Sequence, residues 1–162
     1  SSIGIKKVGN IGKLEDALEF ACTYSDRIIV EQGLTNAREL ECAVIGSHHL
    51  ETSNVGEVTN RGEFYDGTAQ YHSEQTQAII PAPLDHQTTA EVKSIALKAF
   101  QIMHLRGLAK IDFFLLNDQI LINEVNTLPS FTANGMLCKL FGSAGIDTKQ
   151  LIQKLIDISL AV

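Results

Sequence analysis

Apolar side chains recur with a helical period in four segments of the chain, which are predicted to be amphipathic helices. They are residues 13–24, 88–103, 136–144 and a last segment that begins at residue 148. Thr88 and Glu91 have the spacing of a capping box, and Asp147 and Gln150 have the same spacing. The second and the last helix are therefore predicted to begin at these pairs.

Shorter runs of β-branched and apolar residues predict strands. These runs are 3–8, 27–31, 38–45, part of 50–58 and 78–81. The stretch 59–75 is polar and Gly-rich, and structureless segments of this length are usually functional or disordered. The order of strands and helices predicts the α+β class, with helices packed on an antiparallel-rich sheet.

Two apolar runs in residues 107–132 flank the polar patch 117–119, which predicts a β-hairpin. Three acceptor side chains stand out in it: Asp112, Glu124 and Asn126. Glu124 and Asn126 are two residues apart, so they share one face of a strand. A three-residue turn places Asp112 directly opposite Glu124, whereas a two-residue turn places these carboxylates on opposite faces.

Converging oxygen donors would suit Mg²⁺, which proteins usually hold with one or two carboxylates together with substrate phosphates. The spacing alone leaves a second interpretation open. In that interpretation Asp112 is buried or bonded to a loop, and Glu124 and Asn126 face solvent.

Composition limits the possible partners. The 162 residues carry a net charge of −6, with an isoelectric point near 5.3, which argues against nucleic acid or an acidic membrane surface as the partner. No apolar run reaches the roughly 20 residues of a membrane span, and no signal segment is present. The three cysteines, Cys22, Cys42 and Cys138, predict buried free thiols in a reducing cytoplasm. Because the chain starts at Ser1 without Met, we expect it to be a fragment of a longer protein.

The hairpin and the loop after it resemble the magnesium-binding hairpin of D-alanine–D-alanine ligases, a family of the ATP-grasp class. That family has R-[VI]-D-F-F on one strand and N-E-x-N-T-x-P-G-[FM]-T on and after the next. Here the segments read KIDFF at 110–114 and NEVNTLPSFT at 123–132. Three more motifs follow the family's order: SSIGI at 1–5, EQGLTNARELE at 31–41 and FYDGTAQY at 64–71.

The resemblance implies a reaction. It is the ATP-dependent joining of two D-alanines through an acylphosphate, in the cytoplasm, for peptidoglycan precursors. It further implies ATP and two Mg²⁺ or Mn²⁺ ions as cofactors, and a homodimer of the full-length protein. Alternatives are a ligase that makes D-alanyl-D-lactate or D-alanyl-D-serine, and a degenerate, non-catalytic remnant. This polypeptide alone is not expected to turn over.

The resemblance also assigns roles to residues. It gives Asp112, Glu124 and Asn126 to the metal ions, and Lys110 with the backbone near Ser130 to the oxyanion. It gives Ser1 and Tyr71 to the ordering of a lid, the ω-loop at 59–75, over the first substrate. The nucleotide residues implied by the match are Glu31, Gln32, Gly33, Leu34, Glu39, Phe64 and Phe114.

The resemblance implies that Glu39 accepts hydrogen bonds from the ribose, whereas its spacing alone favours a carboxylate paired with Arg38 or another surface charge. The chain departs from the family at four positions, where lysine, arginine, glycine and serine are expected. The residues found there are Gln70, Lys110, Ser130 and Gly135. These departures fall on positions that contact the phosphate and the acceptor substrate in the family. They leave open which acceptor is used and whether the enzyme turns over.

Overall fold

A computed structural model describes residues 3–59, 77–132 and 135–161. These residues form two compact units, 3–36 and the remainder. The predicted lid lies outside the described residues except for Thr59. Within the described part of the chain, no helix has both the length and the apolar character that a membrane span requires.

The first unit contains a 3₁₀ turn, Ile11–Lys13, that leads directly into helix α1, Leu14–Cys22. The strands predicted at 3–8 and 27–31 are wrong, because residues 3–36 contain no strand. The side chain of Ile29 is 82% exposed, and Ile3 is 71% exposed. β-branched residues favour strands because their side chains pack against residues of neighbouring strands. Where no partner strand is present, this preference does not produce a strand.

The second unit is built on a six-stranded antiparallel sheet. Its strands are β1 (Arg38–Gly46), β2 (Leu50–Thr52), β3 (Gly56–Thr59), β4 (Gln77–Ile79), β5 (Gly107–Leu116) and β6 (Gln119–Asn126). The order is β4-β3-β1-β5-β6, and β2 pairs with β1 beside β3. The β2–β3 break falls at Ser53, whose N–H donates to the Ala43 carbonyl at 2.8 Å and whose Oγ accepts from the Ala43 N–H at 2.9 Å. The strand expected within 50–58 is therefore two strands.

Three helices complete this unit: α2 (His86–Ile102), α3 (Met136–Ser143) and α4 (Thr148–Leu160). The capping box of Asp147 and Gln150 is confirmed at the start of α4. The predicted Thr88 cap of α2 is wrong. Asp85 is the N-cap, and its Oδ1 accepts from the Thr88 N–H at 2.8 Å. Asp and Thr are both favoured caps, and the earlier one adds most of a turn to the helix.

Helices cover both faces of the sheet, which confirms the α+β class. On one face α2 packs on a buried cluster formed by Leu40, Cys42, Val44, Val92, Ala96, Phe100, Ala109, Ile111 and Phe113. On the other face α3 and α4 pack on Ala43, Ile45 and Leu108. Strand alternation places Glu41 on this second face beside Ala43, so the face changes from apolar to charged along β1.

Two of the cysteines match the prediction. Cys42 and Cys138 are buried, whereas Cys22, the last residue of α1, is exposed, and all three are free thiols. Burial raises the pKa of the Cys42 thiol to about 11, which keeps it protonated and unreactive at neutral pH.

The ends of α2 and α3 provide a matched pair for a stability test. Both are Schellman motifs, with His104 and Gly145 at the left-handed position, at φ of 52° and 87°. A non-glycine residue is strained there, so His104→Gly is expected to raise the free energy of unfolding by about 0.5–1 kcal/mol. Gly145→His is expected to lower it by a similar amount, although a Cβ at Gly145 meets no atom within 4 Å. Urea unfolding midpoints that move the other way would contradict this account.

Candidate active site

Three carboxylates form a row across the charged part of the second sheet face. Glu41 on β1 lies directly opposite Asp112 on β5, and Asp112 lies directly opposite Glu124 on β6. One step further along the same face, Lys110 lies opposite Asn126. The sheet therefore brings together Asp112, Glu124 and Asn126, the three predicted metal ligands.

This register arises in a way that the sequence did not indicate. The hairpin turn has two residues, Asn117 and Asp118, both in the left-handed region, as a type I′ turn requires. Of the two turn lengths that the sequence left open, the structure has the shorter one, which in a regular hairpin would separate the two carboxylates. A bulge restores the alignment, because Asp112 pairs with Glu124 while Phe113 pairs with Ile122. The extra residue on β6 returns Glu124 to the face that carries Asp112.

Lys110 is the one cation paired within this row. Its Nζ lies 2.7 and 2.9 Å from the two carboxylate oxygens of Asp112 and 2.9 Å from Glu41 Oε1. The three side chains are only 14–18% exposed. Glu41 Oε2 is buried and has no hydrogen-bond partner within the described part of the chain. These three side chains therefore offer two carboxylates to one ammonium.

Burial, together with repulsion between the two carboxylates, determines the protonation of Asp112. Burial raises the pKa of Asp112 to about 7; repulsion from Glu41 adds to the rise, and Lys110 opposes it. Burial by itself would lower the pKa of Lys110, but attraction to Glu41 and Asp112 outweighs it and raises that pKa. Near neutral pH the row therefore contains a charged ammonium beside a half-protonated Asp112.

The stability of the protein is expected to depend on pH through Asp112. Its pKa is higher in the folded chain than in the unfolded chain, so its stabilising contribution is full in acid and is lost as the pH rises through about 7. Between pH 5.5 and 8.5 this amounts to roughly 1–2 kcal/mol. Asp112→Asn is expected to remove that part of the slope in unfolding measurements, whereas Asp118→Asn in the exposed turn keeps it. A slope that survives in Asp112→Asn would contradict the account.

The predicted ligands fit a magnesium ion by their chemistry. They are two carboxylates and one amide oxygen, and Glu124 is exposed. The Asn126 Oδ1 accepts from the Leu128 N–H at 3.0 Å. This hydrogen bond fixes the amide oxygen of Asn126 relative to the start of the following loop. No cluster of three His, Cys, Asp or Glu residues in the described ranges forms a metal cage. A site completed by phosphate oxygens is the usual arrangement for Mg²⁺.

The loop after β6 carries two of the departures from the family pattern. Ser130 is exposed and follows the buried Pro129. Gly135 is the N-cap of α3, and a Cβ there would lie 2.7 Å from Thr132 Oγ1 and 3.0 Å from the Thr132 carbonyl oxygen. The serine that the family pattern has at Gly135 would therefore require Thr132 to shift.

The predicted nucleotide residues are spread over the chain. Glu39 is half-buried on β1 opposite Phe114, on the same face as the row. The Arg38 guanidinium binds Glu57 through two bonds of 2.8 Å. The alternative for Glu39, a pairing with Arg38 or another surface charge, therefore loses support at Arg38 and stays open for other charges.

The remaining predicted residues belong elsewhere. Glu31, Gln32 and Gly33 are exposed and Leu34 is half-buried, in a segment of the first unit without strand pairing. The predictions for Ser1, Phe64, Gln70 and Tyr71 fall outside the described residues.

Glu41 is the residue of this site that sequence reasoning missed. The available signal was its spacing, because Glu39 and Glu41 are two residues apart on one strand and therefore share a face. Its alignment with Asp112 depends on the β1–β5 register, which local sequence does not specify.

Comparison with solved structures identifies the class of fold. The chain superposes on VanG D-Ala:D-Ser ligase from Enterococcus faecalis with a TM-score of 0.87 at 30% identity, over 98% of this chain and 46% of that one. It superposes on the D-alanine–D-alanine ligase from Coxiella burnetii with a TM-score of 0.86 at 28% identity, over 99% and 42%. The antiparallel sheet with its helices therefore has the ATP-grasp fold of these ligases.

The sequence comparisons narrow the class to a family. The chain is 44% identical over 162 residues to the D-alanine–D-alanine ligase of Prochlorococcus marinus strain MIT 9301, covering 99% of the chain and 45% of that protein. It is 42% identical over 160 residues to the ligase of Bacillus velezensis, with 98% and 45% covered. The family described as D-ala D-ala ligase C-terminus matches residues 1–157, and the chain belongs to that family. It spans less than half the length of these curated relatives.

Proposed function

We propose that this chain supplies the nucleotide and metal site of an ATP-dependent ligase that joins two D-alanines through an acylphosphate for peptidoglycan precursors. The observation that supports it most is the alignment of Asp112 with Glu124 beside the largely buried Lys110, on the charged part of the second sheet face. The D-alanine–D-alanine ligase names of the relatives supply the substrates.

Asp112, Glu124 and Asn126 would hold the Mg²⁺ or Mn²⁺ ions, two in the proposed complex. When bound, such ions neutralise the charge of the terminal phosphates. Asp112 and Glu124 supply the negative charge for this task. Asn126 adds a neutral oxygen at the point where β6 becomes a loop.

The proposed reaction has two steps. An oxygen of the first D-alanine's carboxylate attacks the γ-phosphorus of ATP, and ADP leaves with the bridging oxygen. The amine of the second D-alanine then attacks the acyl carbon, phosphate leaves, and the amine loses its proton. Lys110 and the backbone N–H groups near Ser130 would stabilise the oxyanion that forms between attack and departure.

The other roles remain part of the proposal. Residues 31–34 would bind the adenine edge through main-chain groups, and Glu39 the ribose. Phe114 would line the nucleotide site, on the face that also carries Asp112. Ser1 and Tyr71 would order the lid over the first substrate, and Phe64 would contribute to the nucleotide site. A cytoplasmic homodimer of the full-length protein completes the proposal.

An acceptor panel tests the function. Phosphate release from ATP is measured on the complete protein that carries this chain, with D-alanine alone and with D-alanine plus D-lactate or D-serine. We expect release with D-alanine alone. Faster release with D-serine present would favour the activity named for the VanG relative, which is 30% identical. No release with any acceptor would indicate a remnant without turnover.

A further inference from the structure

We infer that Glu41 is a positioning residue that holds the Lys110 ammonium in the site while Asp112 is engaged by a metal ion. This inference rests on the proposed function, because it concerns the same metal site. It assigns a task to a residue for which neither the family pattern nor the hairpin motif provides one.

The geometry gives Lys110 two anchors. Its Nζ lies 2.7 Å from Asp112 Oδ1 and 2.9 Å from Glu41 Oε1, and these two carboxylates lie on neighbouring strands in direct register. An ammonium has three donors, so both contacts can form at once. Glu41 is the anchor further from Glu124, since β5 separates β1 from β6.

A metal ion changes the balance between the anchors. When oxygens of Asp112 coordinate Mg²⁺, they accept hydrogen bonds from Lys110 less strongly. The Mg²⁺ ion and the Lys110 ammonium also repel each other. Glu41 keeps its contact with the ammonium, so the ammonium stays on the face. Without Glu41, Lys110 would compete with the metal for Asp112, or leave.

Fold stability does not explain Glu41. Its Oε2 is buried and has no partner in the described part of the chain, and an unsatisfied buried polar group is destabilising. Its neighbour on the same face, Ala43, packs under α3 and α4, so apolar residues suit this strand well. A carboxylate at position 41 fits a task in the site better than a task in the core.

The test measures metal affinity and the ammonium together. The Mg²⁺ affinity of the ADP complex is titrated by calorimetry for the chain, for Glu41→Gln and for Glu41→Asp. Replacing a residue that orients a metal ligand typically weakens metal binding roughly tenfold or more, which we expect for Glu41→Gln, with partial recovery in Glu41→Asp. Glu51→Gln, the same change at an exposed ion pair on β2, is the matched control and keeps the affinity.

The Nζ signal of Lys110 in ¹⁵N spectra, assigned by its absence in Lys110→Met, is the second readout. We expect it to persist with Mg²⁺ and ADP in the chain and to be lost or shifted in Glu41→Gln. Unchanged affinity and an unchanged signal in Glu41→Gln would overturn the inference while the proposed metal site stands. If the chain binds no Mg²⁺ at all, the proposed function fails, and the inference, which needs a metal ion on Asp112, fails with it. Without metal the Lys110 signal should persist in Glu41→Gln, because Asp112 still anchors the ammonium.

Discussion

Replacing Glu124 by Gln is expected to remove the Mg²⁺ dependence of ADP binding. Glu124 is exposed and lies opposite Asp112, so the change deletes a ligand charge without disturbing the core. Losing a coordinating carboxylate should weaken binding by at least the roughly tenfold to hundredfold seen when residues around metal ligands are replaced. Calorimetric titration with ADP, with and without Mg²⁺, measures the effect.

The matched control for Glu124→Gln is Glu51→Gln, which removes the same charge from β2 at an exposed site. It should bind ADP with the Mg²⁺ dependence of the unmodified chain. If Glu124→Gln binds as tightly as the control, the metal does not lie on this hairpin.

Replacing Lys110 by Met is expected to cost about 2–3 kcal/mol of stability at pH 8. The ammonium is 14% exposed, and its loss leaves Glu41 and Asp112 without a counter-charge. Breaking a buried ion pair by removing one partner typically costs about 3–5 kcal/mol, and partial exposure reduces this. Urea unfolding measures the change.

Two comparisons make the Lys110 result specific. Lys154→Met breaks the 2.6 Å pair with Glu51, whose partners are 38% and 50% exposed, and should cost less than about 1 kcal/mol. The cost of Lys110→Met should shrink toward pH 5.5, because protonation of Asp112, whose pKa is already about 7, removes part of the uncompensated charge. An equal cost at both pH values would contradict a charge-based origin.

The hairpin shows which features of the site could be predicted from the sequence and which could not. Its apolar runs correctly predicted two strands, and the spacing of Glu124 and Asn126 correctly predicted a shared face. The turn length and the bulge beside Asp112 each reverse the face of Glu124, and together they cancel. Nothing in an apolar run specifies where a strand bulges, because a bulge is defined by the pairing with the neighbouring strand.

The errors elsewhere have similar causes. The runs 3–8 and 27–31 have strand composition, but strand formation needs a partner that local sequence does not provide. The start of α2 carried two competing caps, and Asp85 prevailed over Thr88 because it lengthens the helix. Glu41 was missed because its place in the site depends on pairing with Asp112 on β5, which lies some seventy residues further along the chain.

The most direct test of the central claim is the position of a paramagnetic metal ion. Mn²⁺ titrated into the ADP complex broadens the amide NMR signals of nearby residues. The broadening is strongest for the amides that lie nearest to the ion. The account predicts that Asp112, Glu124 and Asn126 broaden first, and that Glu124→Gln abolishes this. Broadening that begins instead at His48 and His49, exposed before β2, would contradict a metal site on the hairpin.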